Sequence, residues 1–133
     1  MNPPKVLGIG GIFLTSKDPA AARAWYRQHL GLDIQDWGGL AFDWATPDRP
    51  GFTGQTIWSM GTAGTDYFAP GKANFMVNYV VADVRALIAQ MKADGATVID
   101  KIEESEYGIF GWAIDPDGNK IELWQPPSLK PAQ

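Results

Sequence analysis

The chain has 133 residues, of which 45% are hydrophobic and 20% charged, with a net charge of −4. These values are typical of one globular domain, and an acidic chain without runs of lysine or arginine is not expected to bind nucleic acid or an anionic membrane. The sequence has no cysteine, which excludes disulfides, thiolate metal sites and cysteine nucleophiles. No apolar run approaches the ~20 residues of a membrane span, so we expect a cytoplasmic protein.

The first half of the chain predicts a strand, a helix and further strands. The run VLGIGGIFLT at 6–15 is the first strand. A helix follows, because Ser16 or Asp18 can cap it, Pro19 suits its first position and Gly31 is a typical end. We expect Trp25 to pack this helix onto the sheet. Shorter strands are predicted at 33–37, 40–45 and 55–60, with a loop over 46–54.

The second half repeats this order. A strand at 74–81 precedes a helix that begins at Asp83 and ends before Gly95, and a strand at 97–101 follows. Aligning FLTSKD with NYVVAD places Asp18 opposite Asp83. One half alone is too small to bury a sheet well, so the duplication predicts a single domain of two β-α-β-β-β modules. Its parts are module one at about 6–61, a connector at 62–73, module two at about 74–126 and a polar tail at 127–133.

A hairpin over 107–124, YGIFGWAIDPDGNKIELW, closes the second module. Two alternating runs flank DPDGN at 115–119, whose proline, glycine and asparagine suit a tight turn. In the last strand Lys120, Glu122 and Trp124 share one face, opposite the aliphatic residues. A carboxylate beside a tryptophan on that face is a candidate for function.

These features resemble the vicinal oxygen chelate superfamily, which includes glyoxalase I, bleomycin-resistance proteins, fosfomycin-resistance enzymes and extradiol dioxygenases. The resemblance rests on WYRQHLGL at the end of the first helix, VVADV before the second and the closing DPDGNKIELWQP. It implies an α+β fold in which two tandem βαβββ modules join their mixed sheets into a cup, with the helices packed outside. Two-module members commonly pair, so it also implies a homodimer, and a surplus of aromatic residues agrees with this.

The family's four metal positions fall here on Gly11, Trp58, Met76 and Glu122. Glycine and tryptophan offer no ligand and methionine only a soft thioether. The one histidine, His29, lies near the end of the first helix. We therefore expect no cofactor and no metal in the cup, with Glu122 as the only retained ligand-type residue. A divalent metal is the alternative.

Six tryptophans are present, and those on strands either line the cup or fill the core, because strand phase can slip by one residue. Asp43 is a weaker candidate for a polar group in the cup. Glu122 is the candidate catalytic residue. The candidate ligand-binding residues are Trp44, Trp58, Trp112, Trp124, Met76 and Tyr107.

Three functions remain open on these residues. The first is a metal-free protein that binds a small aromatic or cationic molecule and resembles bleomycin-resistance proteins. The second is a metal-independent lyase or isomerase with Glu122 as general base. The third is a metal-dependent glyoxalase- or dioxygenase-type enzyme whose site is completed at a dimer interface. The sequence does not decide whether the protein is an enzyme.

Overall fold

The computed structural model describes residues 6–45, 51 and 54–127. Most of the predicted loop at 46–54 and of the tail at 127–133 lies outside the described residues. The elements of module one are β1 (Val6–Ser16), α1 (Pro19–Leu30), β2 (Gly39–Asp43) and β3 (Gln55–Thr62). Those of module two are β4 (Phe75–Val81), α2 (Val84–Ala93), β5 (Thr97–Ser105), β6 (Gly108–Ile114) and β7 (Lys120–Gln125).

The strands form one seven-stranded mixed sheet in the order β2-β3-β1-β4-β7-β6-β5. The two modules join in the middle, where β1 and β4 pair antiparallel. Within each module the first and last strands pair in parallel, β1 with β3 and β4 with β7. The order does not return to its starting strand, so the sheet is not closed into a barrel. The predicted α+β class is confirmed.

The prediction of a strand at 33–37 is wrong. The N–H of Gln35 donates to the carbonyl of Gly39 at 2.8 Å, and the N–H of Gly38 donates back to the carbonyl of Gln35 at 2.9 Å. Gly38 has a φ of 99°, a left-handed conformation that glycine adopts without strain. These bonds close a turn before β2, so the described part of module one has three strands where four were expected.

Both helices begin and end as their sequences indicate. The carboxylate of Asp18 accepts the N–H of Ala21 at 3.1 Å, and that of Asp83 accepts the N–H of Ala86 at 3.0 Å. Each bond satisfies an amide that the helix itself leaves unpaired. Gly31 ends α1 with a φ of 67°, as its position after the last helical residue predicts.

The expectation that Trp25 packs α1 onto the sheet is wrong. Trp25 is 53% exposed, and its ring lies beside those of Tyr26 and His29 on the same helix. Tyr26 faces the sheet instead, with its ring 4.9 Å from that of Trp58. Consecutive helical residues point about 100° apart, so a one-residue error in the helix face exchanges a buried ring for an exposed one.

Two buried hydrophobic clusters lie on opposite faces of the sheet in the second module. Val81, Val84 and Leu123 form a buried cluster against α2. Phe68, Met76 and Trp112 form another on the opposite face of the sheet. No helix in the described ranges is long and apolar enough to span a membrane.

The turn between β6 and β7 is organised by Asp115. Its carboxylate accepts the N–H groups of Asp117 and Asn119, both at 2.9 Å. These hydrogen bonds, led by that from Asn119, lower the pKa of Asp115 below its usual value. The closed turn sets the register in which Glu122 of β7 lies opposite Trp112 of β6.

Candidate functional site

Glu122 lies at the centre of the sheet and is only 2% exposed. In the strand register it stands between Asn78 of β4 and Trp112 of β6. Directly paired residues point to the same face, so three neighbouring strands bring a carboxylate, an amide and an indole into one row. The predicted strand phase, with Glu122 on the face opposite Leu123, is confirmed.

Three donors surround the carboxylate. Asn78 Nδ2 donates to Glu122 Oε1 at 2.7 Å, and Trp112 Nε1 donates to Oε2 at 2.8 Å. The hydroxyl of Tyr67 also donates to Oε2. A carboxylate without such partners is very costly to bury. The row of donors is therefore what allows a charged side chain at this depth.

Tyr67 comes from the connector between β3 and β4 and reaches over the row. Although 44% of the residue is exposed, its hydroxyl end is turned inward to Glu122. Burial, reinforced by the negative charge of Glu122, raises the pKa of Tyr67. Lys120 holds the other end of Tyr67, because its ammonium group donates to the Tyr67 carbonyl at 2.6 Å and lies 5.0 Å from the ring centre. Burial lowers the pKa of Lys120, an effect that the charge of Glu122 opposes.

A cavity of about 630 Å³ opens onto this row and is called the large cavity here. Most of its wall is aromatic or aliphatic, and its polar groups are few. Trp124 donates its indole N–H to the carbonyl of Tyr107 at 2.8 Å, and its ring stacks on Phe110 with an interplanar angle of 6°. The lining residues are Gly10, Phe13, Trp37, Gln55, Ile57, Asn78, Tyr107, Phe110, Glu122 and Trp124.

A second cavity of about 420 Å³, the small cavity, lies beneath the connector. Tyr67 and Phe68 form its connector side. Phe13, Phe110 and Glu122 line both cavities. Glu122 can therefore be approached from either side of the two phenyl rings.

The structure brings some of the predicted binding residues together. Trp124 and Tyr107 line the large cavity, and Tyr107 is 68% exposed at its edge. Trp112 lies beneath Glu122 and is 3% exposed. Met76 is buried in the core with Phe68 and does not line either cavity. That any of them binds a ligand stays a prediction.

Trp44 and Trp58 lie away from both cavities. Trp58 faces α1, as its contact with Tyr26 shows. The indole of Trp44 donates to Thr56 Oγ1 at 2.9 Å and packs on glycines near the first strand. The expectation that Trp44 and Trp58 line the cup is therefore wrong. The cause is strand phase, because residues adjacent along a strand point to opposite faces. Asp43 is exposed on β2, where it accepts the side chain of Gln55 at 2.8 Å.

The strand register shows which side chains lie beside Glu122 and at its counterpart in module one. Phe13 pairs with Ser59 across β1 and β3, just as Asn78 pairs with Glu122 across β4 and β7. Ser59, one residue after Trp58, therefore corresponds to Glu122 in module one. In module two the side chain beside Glu122 is that of Asn78, two residues after Met76.

Sequence reasoning missed several residues of this site: Asn78, Tyr67, Phe13, Phe110 and Trp37. Asn78 carried a usable signal, because it is the one polar residue inside the apolar run FMVNYVV. Phe110 shares the alternation of the predicted hairpin. Tyr67 had none, since it lies in a glycine-rich connector whose path no periodicity describes.

The side chains around Glu122 are placed as hydrogen-bond donors rather than as metal ligands. Both carboxylate oxygens face N–H or O–H donors, whereas a metal requires lone pairs at those places. Among the described residues no group of three or more His, Asp or Glu side chains is placed to hold a metal. Whether the protein functions without a metal stays a prediction.

Asn78 leaves one buried acceptor open. Glu122 only accepts, so Nδ2 must face it and Oδ1 must point away. In the described part of the chain Asn78 Oδ1 has no hydrogen-bond partner. It lies against Gly10, where an added Cβ would come within 2.2 Å of it. A glycine is therefore required beside the row.

The fold and the buried carboxylate facing an aromatic cavity define a glyoxalase-type cup protein. A family model described as "Glyoxalase-like domain" matches residues 11–124, so the chain belongs to that family. The methylmalonyl-CoA epimerase of Mycobacterium tuberculosis has a similar fold, with a TM-score of 0.60, 18% identity, and coverage of 95% of this chain and 92% of that one.

Two further solved structures share the fold. A methylmalonyl-CoA epimerase in complex with methylmalonyl-CoA and NH4+ matches with a TM-score of 0.67, 18% identity, and 96% and 99% coverage of this chain and that one. A glyoxalase/bleomycin resistance protein/dioxygenase superfamily member from Vibrio splendidus matches with a TM-score of 0.56, 15% identity, and 88% and 97% coverage. No curated protein sequence matches the chain significantly.

Proposed function

We propose that the protein binds a small, largely apolar organic molecule with a planar ring in the large cavity, without a metal. One observation carries the proposal: a cavity of about 630 Å³ has aromatic walls and ends on a buried carboxylate. Cavities of this size and character are typical of small-molecule sites, where a few polar groups orient an otherwise apolar ligand. Trp124, Phe110 and Tyr107 would hold the ring, and Glu122 would orient it.

The charge of the lining favours a neutral or cationic ligand. Glu122 is the only charged side chain among the ten residues that line the large cavity. Among these described lining residues, an anionic group would meet a negative charge and no lysine or arginine. The methylmalonyl-CoA of the epimerase complex is thus a poor guide to the ligand of this chain.

A thermal-shift screen of neutral and cationic aromatic compounds tests the proposal. A ligand at 100 times its Kd stabilises the folded state by about 2.7 kcal/mol. The variant Trp124→Leu should weaken binding about tenfold, because it removes one ring stack. Trp25→Leu is the matched control, since Trp25 lies on the exposed face of α1. Equal loss of binding in both variants would contradict the assigned cavity.

The runner-up is a metal-independent lyase or isomerase with Glu122 as general base. A carboxylate has about four acceptor positions. Three of those on Glu122 accept hydrogen bonds from the protein, and only one of these bonds is to Oε1. A position therefore remains for a substrate proton. Exchange of a bound ligand's C–H protons in deuterated water, abolished in Glu122→Gln, would establish catalysis. A ligand that binds without exchange of its C–H protons would support a binding protein rather than an enzyme.

We also propose a homodimer in the cytoplasm. Aromatic side chains such as Phe42 and Phe75, each 44% exposed, favour an interface between two copies. A metal site completed at that interface is the third alternative. Sedimentation at micromolar concentration tests the dimer. Elemental analysis of protein purified without added metal tests the third alternative, and near-stoichiometric zinc, nickel or iron would support it.

A further inference from the structure

The three donors to Glu122 are anchored very differently. Asn78 and Trp112 belong to inner strands of the sheet and are 1% and 3% exposed. Tyr67 belongs to the connector and is 44% exposed. Turning either of these buried side chains away from Glu122 would have to displace the atoms packed around it. The hydroxyl of Tyr67 is the one donor that can leave Glu122 without disturbing the sheet.

The connector can stay in place while the Tyr67 ring moves. Phe68, the next residue, is 8% exposed in the core cluster with Met76 and Trp112. The Tyr67 N–H donates to Thr65 Oγ1 at 3.2 Å, and its carbonyl accepts from Lys120. These bonds hold the backbone, so a rotation about the side-chain torsions alone would take the ring to solvent.

The Tyr67 hydroxyl also lies where a ligand must reach. Tyr67 and Glu122 both line the small cavity, and Glu122 lines the large cavity as well. The rings of Phe13 and Phe110 are shared by the two cavities. A ligand that extends from the large cavity past these rings into the small cavity would therefore meet the phenol of Tyr67 at Glu122 Oε2.

We propose that, without ligand, the Tyr67 hydroxyl occupies the hydrogen-bond position on Glu122 that a hydroxyl of the ligand takes on binding. We propose that this ligand is a phenol or a closely related hydroxylated aromatic molecule. This rests on the proposed function and names its ligand class. The carboxylate only accepts hydrogen bonds, so the group that replaces Tyr67 must donate one. The raised pKa of Tyr67 keeps its own hydroxyl protonated as such a donor.

The test uses two similar aromatic probes, of which only one carries a hydrogen-bond donor. The first is 4-methylphenol, which is the tyrosine side chain itself, and the second is 4-methylanisole, which has no O–H. Calorimetry on wild type, Tyr67→Phe and Tyr26→Phe gives the affinities. We expect Tyr67→Phe to bind 4-methylphenol about tenfold more tightly than wild type does, because a competing hydrogen bond to a charged group is removed. The affinity for 4-methylanisole should stay within about twofold, and Tyr26→Phe, which loses a hydroxyl on α1, should match wild type.

Equal affinity of wild type and Tyr67→Phe for 4-methylphenol would overturn the proposal that the ligand hydroxyl replaces that of Tyr67. If Trp124→Leu still weakened that binding, the proposed function would survive. Binding of neither probe to any folded variant, together with no hit in the screen, would overturn both. Ring-labelled tyrosine in the wild-type protein gives a second readout that needs no variant: 4-methylphenol should shift the Tyr67 resonances, 4-methylanisole should not, and identical spectra would refute the proposal.

Discussion

Replacing Glu122 by leucine tests whether the carboxylate organises the centre of the sheet. Leucine has a similar volume but accepts no hydrogen bond, so the N–H of Trp112 and the amide of Asn78 would both lose their partner. Each buried donor left unpaired costs about 1–3 kcal/mol. Tyr67 can turn to water and adds little. The free energy of unfolding should therefore fall by about 2–6 kcal/mol.

Glu122→Gln is the matched comparison. Its amide oxygen can accept from Trp112, and Asn78 can turn its spare Oδ1 toward the new NH2 group. The loss should be smaller, about 1–2 kcal/mol, because charged hydrogen bonds become neutral ones. Urea unfolding followed by tryptophan fluorescence gives both values, provided that the slope with denaturant is unchanged.

The order of stability, wild type above Glu122→Gln above Glu122→Leu, is the result that matters. A leucine variant as stable as wild type would refute the reasoning, since burying an ion pair or a charge can be worse than an apolar contact. The double variant Glu122→Leu with Trp112→Phe should lose less free energy of unfolding than the two single variants lose together. Such coupling is expected only between residues in contact.

Three further predictions follow from the fold. Gly10→Ala should push Asn78 from Glu122 and lower stability by about 1–3 kcal/mol, measured by urea unfolding; an unchanged midpoint would show that the sheet relaxes around the added methyl. Asp115 has a lowered pKa in the folded state, so its contribution to stability is present above its unfolded pKa and is lost as pH falls through the folded pKa. Asp115→Asn should therefore reduce the fall in melting temperature at acid pH, measured over a pH series. An equal fall in the variant would contradict the role of Asp115 in the turn. Trp25→Ala should change stability by no more than about 0.5 kcal/mol in thermal unfolding, whereas Tyr26→Ala should cost clearly more, and the reverse order would restore the original helix face.

The sequence was sufficient for elements whose local chemistry agrees with the fold. Asp18 and Asp83 each cap a helix, and the alternation in KIELW placed Glu122 on the correct face. These features depend on neighbours a few residues away, which the sequence displays directly. The family resemblance then supplied the arrangement of the modules, and the glyoxalase-like match agrees with it.

The rest depended on contacts that the sequence does not display. Trp58 was placed one residue out of phase because only the pairing of Phe13 with Ser59 fixes β3 against β1. Tyr67 reaches Glu122 from 55 residues away along the chain, through a connector with no periodicity. The segment at 33–37 contains Ile34 and Trp37, which suit a strand, but the amide of Gln35 bonds within a turn.

The positions of the donors along the chain predict an order for folding. Trp112 is 10 residues from Glu122, Asn78 is 44 and Tyr67 is 55. The hairpin can form by itself because its loop is short, whereas the parallel pairing of β4 with β7 must close a much longer loop, whose entropic cost comes before any reward. Until β4 docks, a carboxylate sits on the nascent hairpin with one indole and water as its partners. The negative charge of Glu122 thus opposes burial of the hairpin before β4 has paired with it. The row of Asn78, Glu122 and Trp112 is complete only when the strands have joined in register.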